Sequence, residues 1–526
     1  MRIKITLTSL LALVLSLSTN AQELIEINCD STKGNFNHLH GFLHGEISLE
    51  NYPQAIQLVE DANFRFWRNN NAFDNQILAD SLNFETTIVI SDIYADNQGG
   101  YQNAKPWLNF SQFENYLINL YSSAITNNIA PDFWDVWNEP QSTEFWTGDF
   151  SQLIQTYVSA RTAADIIDTN LQLVGPSIVS YDQLFISTFL DSLVANGITL
   201  NAVSWHEFSI PDSLSLHVEQ FKALLQNNPQ WGNPEIHVNE YSPRQTNQIP
   251  GWKAGWFYHL EKSNIDWANN ACWDDMDDGV TQWNNCNRGL NGILSYNEQT
   301  PLPVFWTHKA YGSMVGQRLY STGSDTKTIA LASLESQSLK ILTGRYYAIK
   351  TGEFLFPEDS LKAIENVTLK ILNHPFPISS SQVLTVERIP KGDTISMHSP
   401  LLSPILISNS LIVITSDTII INLPQYNDGD SYYISINSDL LANIEDIQYE
   451  KNSPKIYPNP VDDMLNIEYP YPSDWVLELF AMNGVRVANY VNASSQISLN
   501  GIKSGFYLLR FQDSKSQKYT LKLIKK

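Results

Sequence analysis

The 526-residue chain is short of positive charge, with 32 Lys and Arg against 55 Asp and Glu and a formal net charge of −23. A surface that negative repels phosphate backbones and anionic headgroups, so nucleic acid and charged membranes are disfavoured as partners. Cysteine is scarce as well: Cys29, Cys272 and Cys286 are all there is. They show neither Cys-x-x-Cys spacing nor an accompanying pair of histidines, which argues against a zinc site. Beyond the N-terminus no run has the length and apolarity of a membrane span. No glycine-rich phosphate loop follows the first strand, and GFLHG (41–45) has no serine to form a nucleophile elbow. The acidic run DDMDDG (274–279) lacks the spacing and closing glutamate of an EF-hand and reads as a solvated loop. Nothing in these patterns asks for a metal or a cofactor.

What the chain does have is length and aromatic surface. At 526 residues it exceeds one compact core, so two to four domains are expected. Aromatics make up 12%, including 14 Trp and 24 Tyr, and flat apolar rings suit the faces of sugars as well as large cores. The first residues read as an address. Arg2 and Lys4 precede an apolar run from Ile5 to Leu17, and Thr19-Asn20-Ala21 offers small residues at a cleavage site. Residues 1–21 are therefore expected to be a signal peptide. Export permits a disulfide, and Cys272 with Cys286, close together in a loop rich in Asp, Asn and Gly, is the expected pair.

The far end is a separate unit. KIYPNPVDDMLNIEY (455–469) opens it, ELFAMNGVRV (478–487) reads as strand, Asn-Gly turn, strand, and GIKSGFYLLRF and KYTLKLIKK close it. This stretch resembles the C-terminal sorting domain of the type IX secretion system. The resemblance implies a small β-sandwich over 455–526, passage across an outer membrane with that machinery as a partner, and a secreted or cell-surface location.

Between the ends, short apolar runs alternate with amphipathic ones. Eight candidate strands stand out: GFLHG (41–45), FRFW (64–67), TIVISD (87–92), FWDVWNEP (133–140), LQLVGP (171–176), AVSWHEF (202–208), EIHVNEY (235–241) and IDWANNACW (265–273). Helical patterns at 113–125, 153–167, 184–197, 218–226 and 306–316 lie among or after them. Strands alternating with helices argue for a parallel sheet, and eight units have the size of a (β/α)8 TIM barrel over residues 22–316. A doubly wound open sheet is the competing architecture. After Gly316 the texture becomes β-rich, which reads as an antiparallel β-sandwich over 317–441 followed by a linker at 442–454.

In such a barrel the catalytic residues sit at the C-terminal strand ends. Those ends supply Asn138 and Glu139 after strand four, Asn239 and Glu240 on strand seven, His206 and Glu207 on strand six, Trp273 after strand eight and Arg68 after strand two. Two glutamates delivered to one mouth can flank a glycosidic bond, one protonating the leaving oxygen and the other attacking the anomeric carbon.

The motifs WNEP, VNEY and ACWDD, with NFRFWRN and the helix PVFWTHKAYGSMVG, resemble clan A glycoside hydrolases, most closely glycoside hydrolase family thirty-nine of β-xylosidases and α-L-iduronidases. The resemblance implies a retaining glycosidase acting on an oligo- or polysaccharide, with Glu139 as general acid/base, Glu240 as nucleophile and Asn138 on the sugar 2-hydroxyl. Physical chemistry adds that burial among Trp134 and Trp137 would keep Glu139 protonated and a cation such as Arg68 would keep Glu240 ionised. His206 could bond Glu240 or substrate, Trp273 could stack beneath the sugar, and His40 and His44 are candidates for the mouth. Arg65 and Glu207 are the structural competitors of Arg68 and His206. The alternative function is noncatalytic carbohydrate binding on the same fold.

Overall fold

In a computed structural model of the chain the described residues are 23–44, 53–69, 76, 78–80, 82–273, 289–295, 300–323, 325–346, 366–391, 401–438, 454–468, 476–481, 486–491, 495–512 and 518–526. The expected signal peptide, Cys286, the DDMDDG run, the Asn483-Gly484 turn and residues 442–453 of the expected linker lie outside them.

The chain begins with β1 (Glu23–Asn35) and then enters the barrel. The barrel strands and their helices follow in order: β2 (Gly41–Leu43), α1 (Pro53–Ala62), β3 (Phe66–Asn69), β4 (Glu85–Val89), α2 (Ile90–Gln98), α3 (Phe110–Thr126), β5 (Phe133–Asp135), α4 (Phe150–Ile167) and β6 (Leu173–Ile178). The second half adds α5 (Gln183–Ala195), β7 (Ala202–Glu207), α6 (Pro211–Asn227), β8 (Glu235–Tyr241), α7 (Pro250–Ser263), β9 (Trp267–Asn270) and α8 (Pro303–Gly312). Strands β2 to β9 pair in parallel and close into an eight-stranded barrel, with Phe42 of β2 opposite Asn270 of β9. Each of the eight expected strands takes its place in this ring.

Local chemistry explains the helices. On α3, Phe113, Leu117, Tyr121 and Ala124 are buried at helical spacing, and the Asn109 side chain accepts the Gln112 N–H at its start. On α4, Asp149 and Gln152 form a reciprocal capping box, so the loop leaving β5 ends at a defined residue. Helix α7 is buried on nearly every side, with Lys262 its exposed residue. It carries buried Trp252, Trp256, Phe257 and Leu260, and a Cβ at Gly251 would lie 2.3 Å from the Arg345 carbonyl. Glycine there lets the helix backbone meet the following sheet, where Gly251 N–H donates to the Gly429 carbonyl at 2.7 Å.

That sheet contains β10 (Gln317–Gly323), β11 (Thr328–Glu335), β12 (Ser338–Arg345), β13 (Asn366–Leu372), β14 (Ser381–Ile389), β15 (Ile405–Val413), β16 (Thr418–Pro424) and β17 (Ser431–Ser438). Its order is β15-β14-β17-β12-β11-β10-β1-β13-β16, curled around a core that includes Ile25, Ile27, Ile341, Leu369 and Ile434. The sheet is antiparallel except where β1 runs parallel to β13. Residues 23–35, expected within the barrel span of 22–316, thus pair with the sheet instead. The period-two burial of β1 is visible in sequence, but its partners lie roughly 300 residues on, and no local pattern announces them.

The C-terminal unit is built from β18 (Lys455–Tyr457), β19 (Met464–Glu468), β20 (Val476–Ala481), β21 (Arg486–Val491), β22 (Gln496–Ser498), β23 (Gly505–Gln512) and β24 (Lys518–Lys525). They form a three-stranded and a four-stranded sheet around Leu465, Leu477, Leu509, Phe511 and Leu523.

Candidate active site

The C-terminal ends of β3, β5, β7 and β8 converge on one guanidinium. Arg68, fully buried at the end of β3, donates from Nη1 to Glu240 Oε1 at 2.9 Å and from Nη2 to Asn138 Oδ1 at 2.8 Å. Its Nε and Nη2 both reach Asp135 Oδ2, at 3.0 and 2.8 Å. Burial alone would lower the Arg68 pKa, but the Asp135 and Glu240 carboxylates outweigh it and hold the group above its ordinary value. The cation is permanent, and Glu240 ends β8 against it.

Glu139 reaches the same mouth by a different route. The β5 ladder stops at Asp135, and Val136 to Pro140 turn across the barrel top. Glu139 takes a left-handed conformation at φ +46°, which costs a non-glycine residue about 1–3 kcal/mol. The turn is pinned on both sides: Asn138 N–H donates to Ser91 Oγ at 3.0 Å and Glu139 N–H to the Ser177 carbonyl at 2.9 Å. The Glu139 carboxylate then meets His206 Nδ1 at 2.8 Å, while His206 Nε2 lies 3.8 Å from Glu240 Oε1. One imidazole therefore stands between the two carboxylates, hydrogen-bonded to Glu139 and facing Glu240 at a distance longer than a hydrogen bond.

The structure revises several details of the sequence reading. The main partner of His206 is Glu139 rather than Glu240. Trp134 packs edge-on against Tyr121, and Trp137 against Trp146 while donating to the Phe145 carbonyl, so the ring contacts of both tryptophans build the barrel wall. Glu207 is closed off by Ser209 and by His217 at 2.7 Å. Arg65 pairs with Glu85 at the opposite end of the barrel. His40, buried before β2 and bonded to the Asn63 carbonyl, also belongs to that far end. His44 follows β2 on the active side, where its backbone bonds Arg68 and Trp67. Trp273 donates to the Ser242 carbonyl at 3.2 Å and packs on Phe208, which in turn meets His206.

Sequence reasoning missed the layer beneath. Asp135 has no exposed surface and also accepts from Ser177 Oγ at 2.8 Å and Asn239 Nδ2 at 2.9 Å. Ser177 Oγ in turn meets Ser204 Oγ at 2.8 Å. The signal was an acid inside an apolar strand, a costly placement unless it is paired. Also missed was the group beside Asn138: Tyr101 OH donates to Asp92 Oδ1, and Ser91 Oγ lies 3.0 Å from Tyr101 OH. Among the described residues no group of three or more His, Cys, Asp or Glu side chains is placed to hold a metal ion.

Comparison with known proteins finds likeness in the C-terminal unit and in the fold of the rest. Residues 455–526 match the family described as the secretion system C-terminal sorting domain. A β-xylosidase of Caldicellulosiruptor saccharolyticus is 27% identical over 111 residues, spanning 20% of this chain and only 22% of that protein. A solved protein of Neocallimastix frontalis superposes with a TM-score of 0.64 at 21% identity, over 80% of this chain and 100% of its own. The family thirty-nine glycoside hydrolase of Xanthomonas axonopodis pv. citri superposes with a TM-score of 0.61 at 13% identity, over 80% and 98%. The chain therefore has the barrel-and-sheet fold of family thirty-nine glycoside hydrolases and ends in a secretion sorting domain.

Proposed function

We propose that the protein is an exported retaining glycoside hydrolase acting on an oligo- or polysaccharide. The observation that carries this reading is the placement of His206 between the two glutamates, bonded to Glu139 and 3.8 Å from Glu240, with Glu240 the one of the two that Arg68 bonds. In the first step Glu139 donates a proton to the leaving oxygen while Glu240 attacks the anomeric carbon, forming a glycosyl ester. Glu139, now a carboxylate, takes a proton from water, and that water opens the ester with overall retention. Asn138, fixed by Arg68 and Ser91, is positioned for the 2-hydroxyl, and Trp273 offers an aromatic platform. His44 borders the same mouth. The sorting domain supports delivery by type IX secretion, with residues 1–21 as the signal peptide and a Cys272–Cys286 disulfide compatible with an oxidising destination.

The test is kinetic. Glu240→Ala is expected to lower kcat on aryl glycosides by about 10⁴-fold, with azide restoring turnover as a glycosyl azide of inverted configuration. Glu139→Ala is expected to suppress substrates with poor leaving groups most, with azide giving the retained product. An active wild type that kept its rate in both variants would refute the two-carboxylate mechanism.

A further inference from the structure

The charges around the proposed site bear on which sugar it accepts. Glu240, Asp135 and Asp92 gather around one interior cation, Arg68, with Glu139 beyond His206, and each nitrogen of that guanidinium is already committed to Asp135, Glu240 or Asn138. Lys253 offers no substitute. It is buried behind the wall between Asn247 and Asn270, close to the Tyr241 ring, and burial pushes its ammonium well below its ordinary value. Lys105 and Arg244 are the other basic residues in the described segments that follow the strands, and Arg244 is already engaged.

Asp92 stands apart from the other acids of this group. It follows β4, is half-buried, and lies close enough to Arg68 to raise its pKa. Only its Oδ1 is occupied, by Tyr101 OH and by Ser91 Oγ at 3.3 Å; among the described residues no hydrogen bond holds Oδ2. Ser91 also receives the Asn138 N–H, so two hydrogen bonds through one side chain link this carboxylate to the backbone of the residue proposed to hold the sugar.

Resting on the glycosidase reading above, we propose that Asp92 is a specificity-determining residue. Its free oxygen accepts a hydroxyl of a neutral glycosyl unit, and its charge excludes uronic acid units from the same place. A substrate carboxylate would meet a surplus of acids around an Arg68 whose nitrogens are all committed, where like charges brought together out of water oppose binding strongly. A sugar hydroxyl meets the opposite situation, an ionised acceptor already oriented by two donors.

The experiment compares matched aryl glycosides that differ only at C5, the xylosides, glucosides and galactosides against the glucuronides, galacturonides and iduronides, in wild type and Asp92→Asn. The expected wild-type result is kcat/KM at least 100-fold higher on the best neutral substrate than on its uronic acid partner. In Asp92→Asn that ratio falls by about tenfold or more, through a rise in KM on the neutral substrate and a gain on the uronide. A wild type that prefers a uronide overturns the proposal while leaving the two-glutamate reading intact. So does an Asp92→Asn variant, folded by circular dichroism, with an unchanged ratio. Turnover that survives in both Glu139→Ala and Glu240→Ala instead overturns the reading on which the proposal rests.

Discussion

At the N-terminal end of the barrel, Asp132 accepts the backbone N–H of Thr86 at 2.7 Å and Asp266 accepts that of Ile236 at 2.9 Å. Glu235 closes on His237, and Arg65 joins Glu85 with both side chains more than a third exposed. At the C-terminal end the same residue types are arranged otherwise. Among the described residues Glu139 and Glu240 bond no backbone amide with their carboxylates; they meet His206 and Arg68, and the arginine rests on a carboxylate with no solvent contact at all. One end uses its charges to close the chain on itself. The other leaves two carboxylates facing each other across an imidazole, so charge at that end is available to a substrate.

The sharpest way to break this comparison is to remove one arginine from each end. Arg68→Met strands the buried Asp135 carboxylate, and a loss of about 3–5 kcal/mol in unfolding free energy is expected. Arg65→Met opens a half-solvated pair and should cost less than about 1 kcal/mol. Denaturant titration followed by tryptophan fluorescence measures both, and equal losses would erase the distinction.

A smaller effect tests the expected bridge beyond β9. If Cys272 and Cys286 are paired, alkylation of the unreduced, denatured protein labels only Cys29, the buried free cysteine of the sheet. Reduction should then cost roughly 3 kcal/mol, the chain-entropy value for a loop of about 15 residues. Three labelled thiols would reject the pairing.

The smallest effect concerns acid stability at the closed end. His40 is buried beside His308 and held neutral by desolvation and then by His38, with its pKa pushed down to about 3. The unfolded chain takes up that proton near pH 6.5 while the folded one does not. The stabilisation from a neutral His40 is therefore complete above about pH 6.5 and drains away as pH falls towards 3. Between pH 6.5 and 5 this amounts to about 2 kcal/mol, and His40→Gln should flatten the slope of stability against pH in that window. An identical slope in the variant would remove His40 from the account.

Much of the site was legible because a TIM barrel turns strand ends into positions. Once FWDVWNEP and EIHVNEY were read as strands, Glu139 and Glu240 had to share a mouth, and Arg68 and His206 followed from the same rule. The failures have one cause. Asp135 went unassigned because its partners come from β3, β6 and β8. The partner of His206 was misjudged because Glu139 arrives through a left-handed turn whose direction is set by Ser91 and Ser177. Residues 23–35 were included in the barrel span of 22–316 because no local pattern says which sheet a strand joins.

By itself the sequence determined the element order, the buried faces of the helices, the two glutamates at strand ends and the separate C-terminal unit. These depend on periodicity, capping and turn chemistry, which act over a few residues. Only the tertiary structure decided which charges are neutralised and which stay open. It brought Arg68 onto Asp135 across 67 positions of chain and onto Glu240 across 172, and among the described residues it left one oxygen of Asp92 uncommitted. A charge is defined by what surrounds it in space, and in a barrel those surroundings come from strands far apart in sequence.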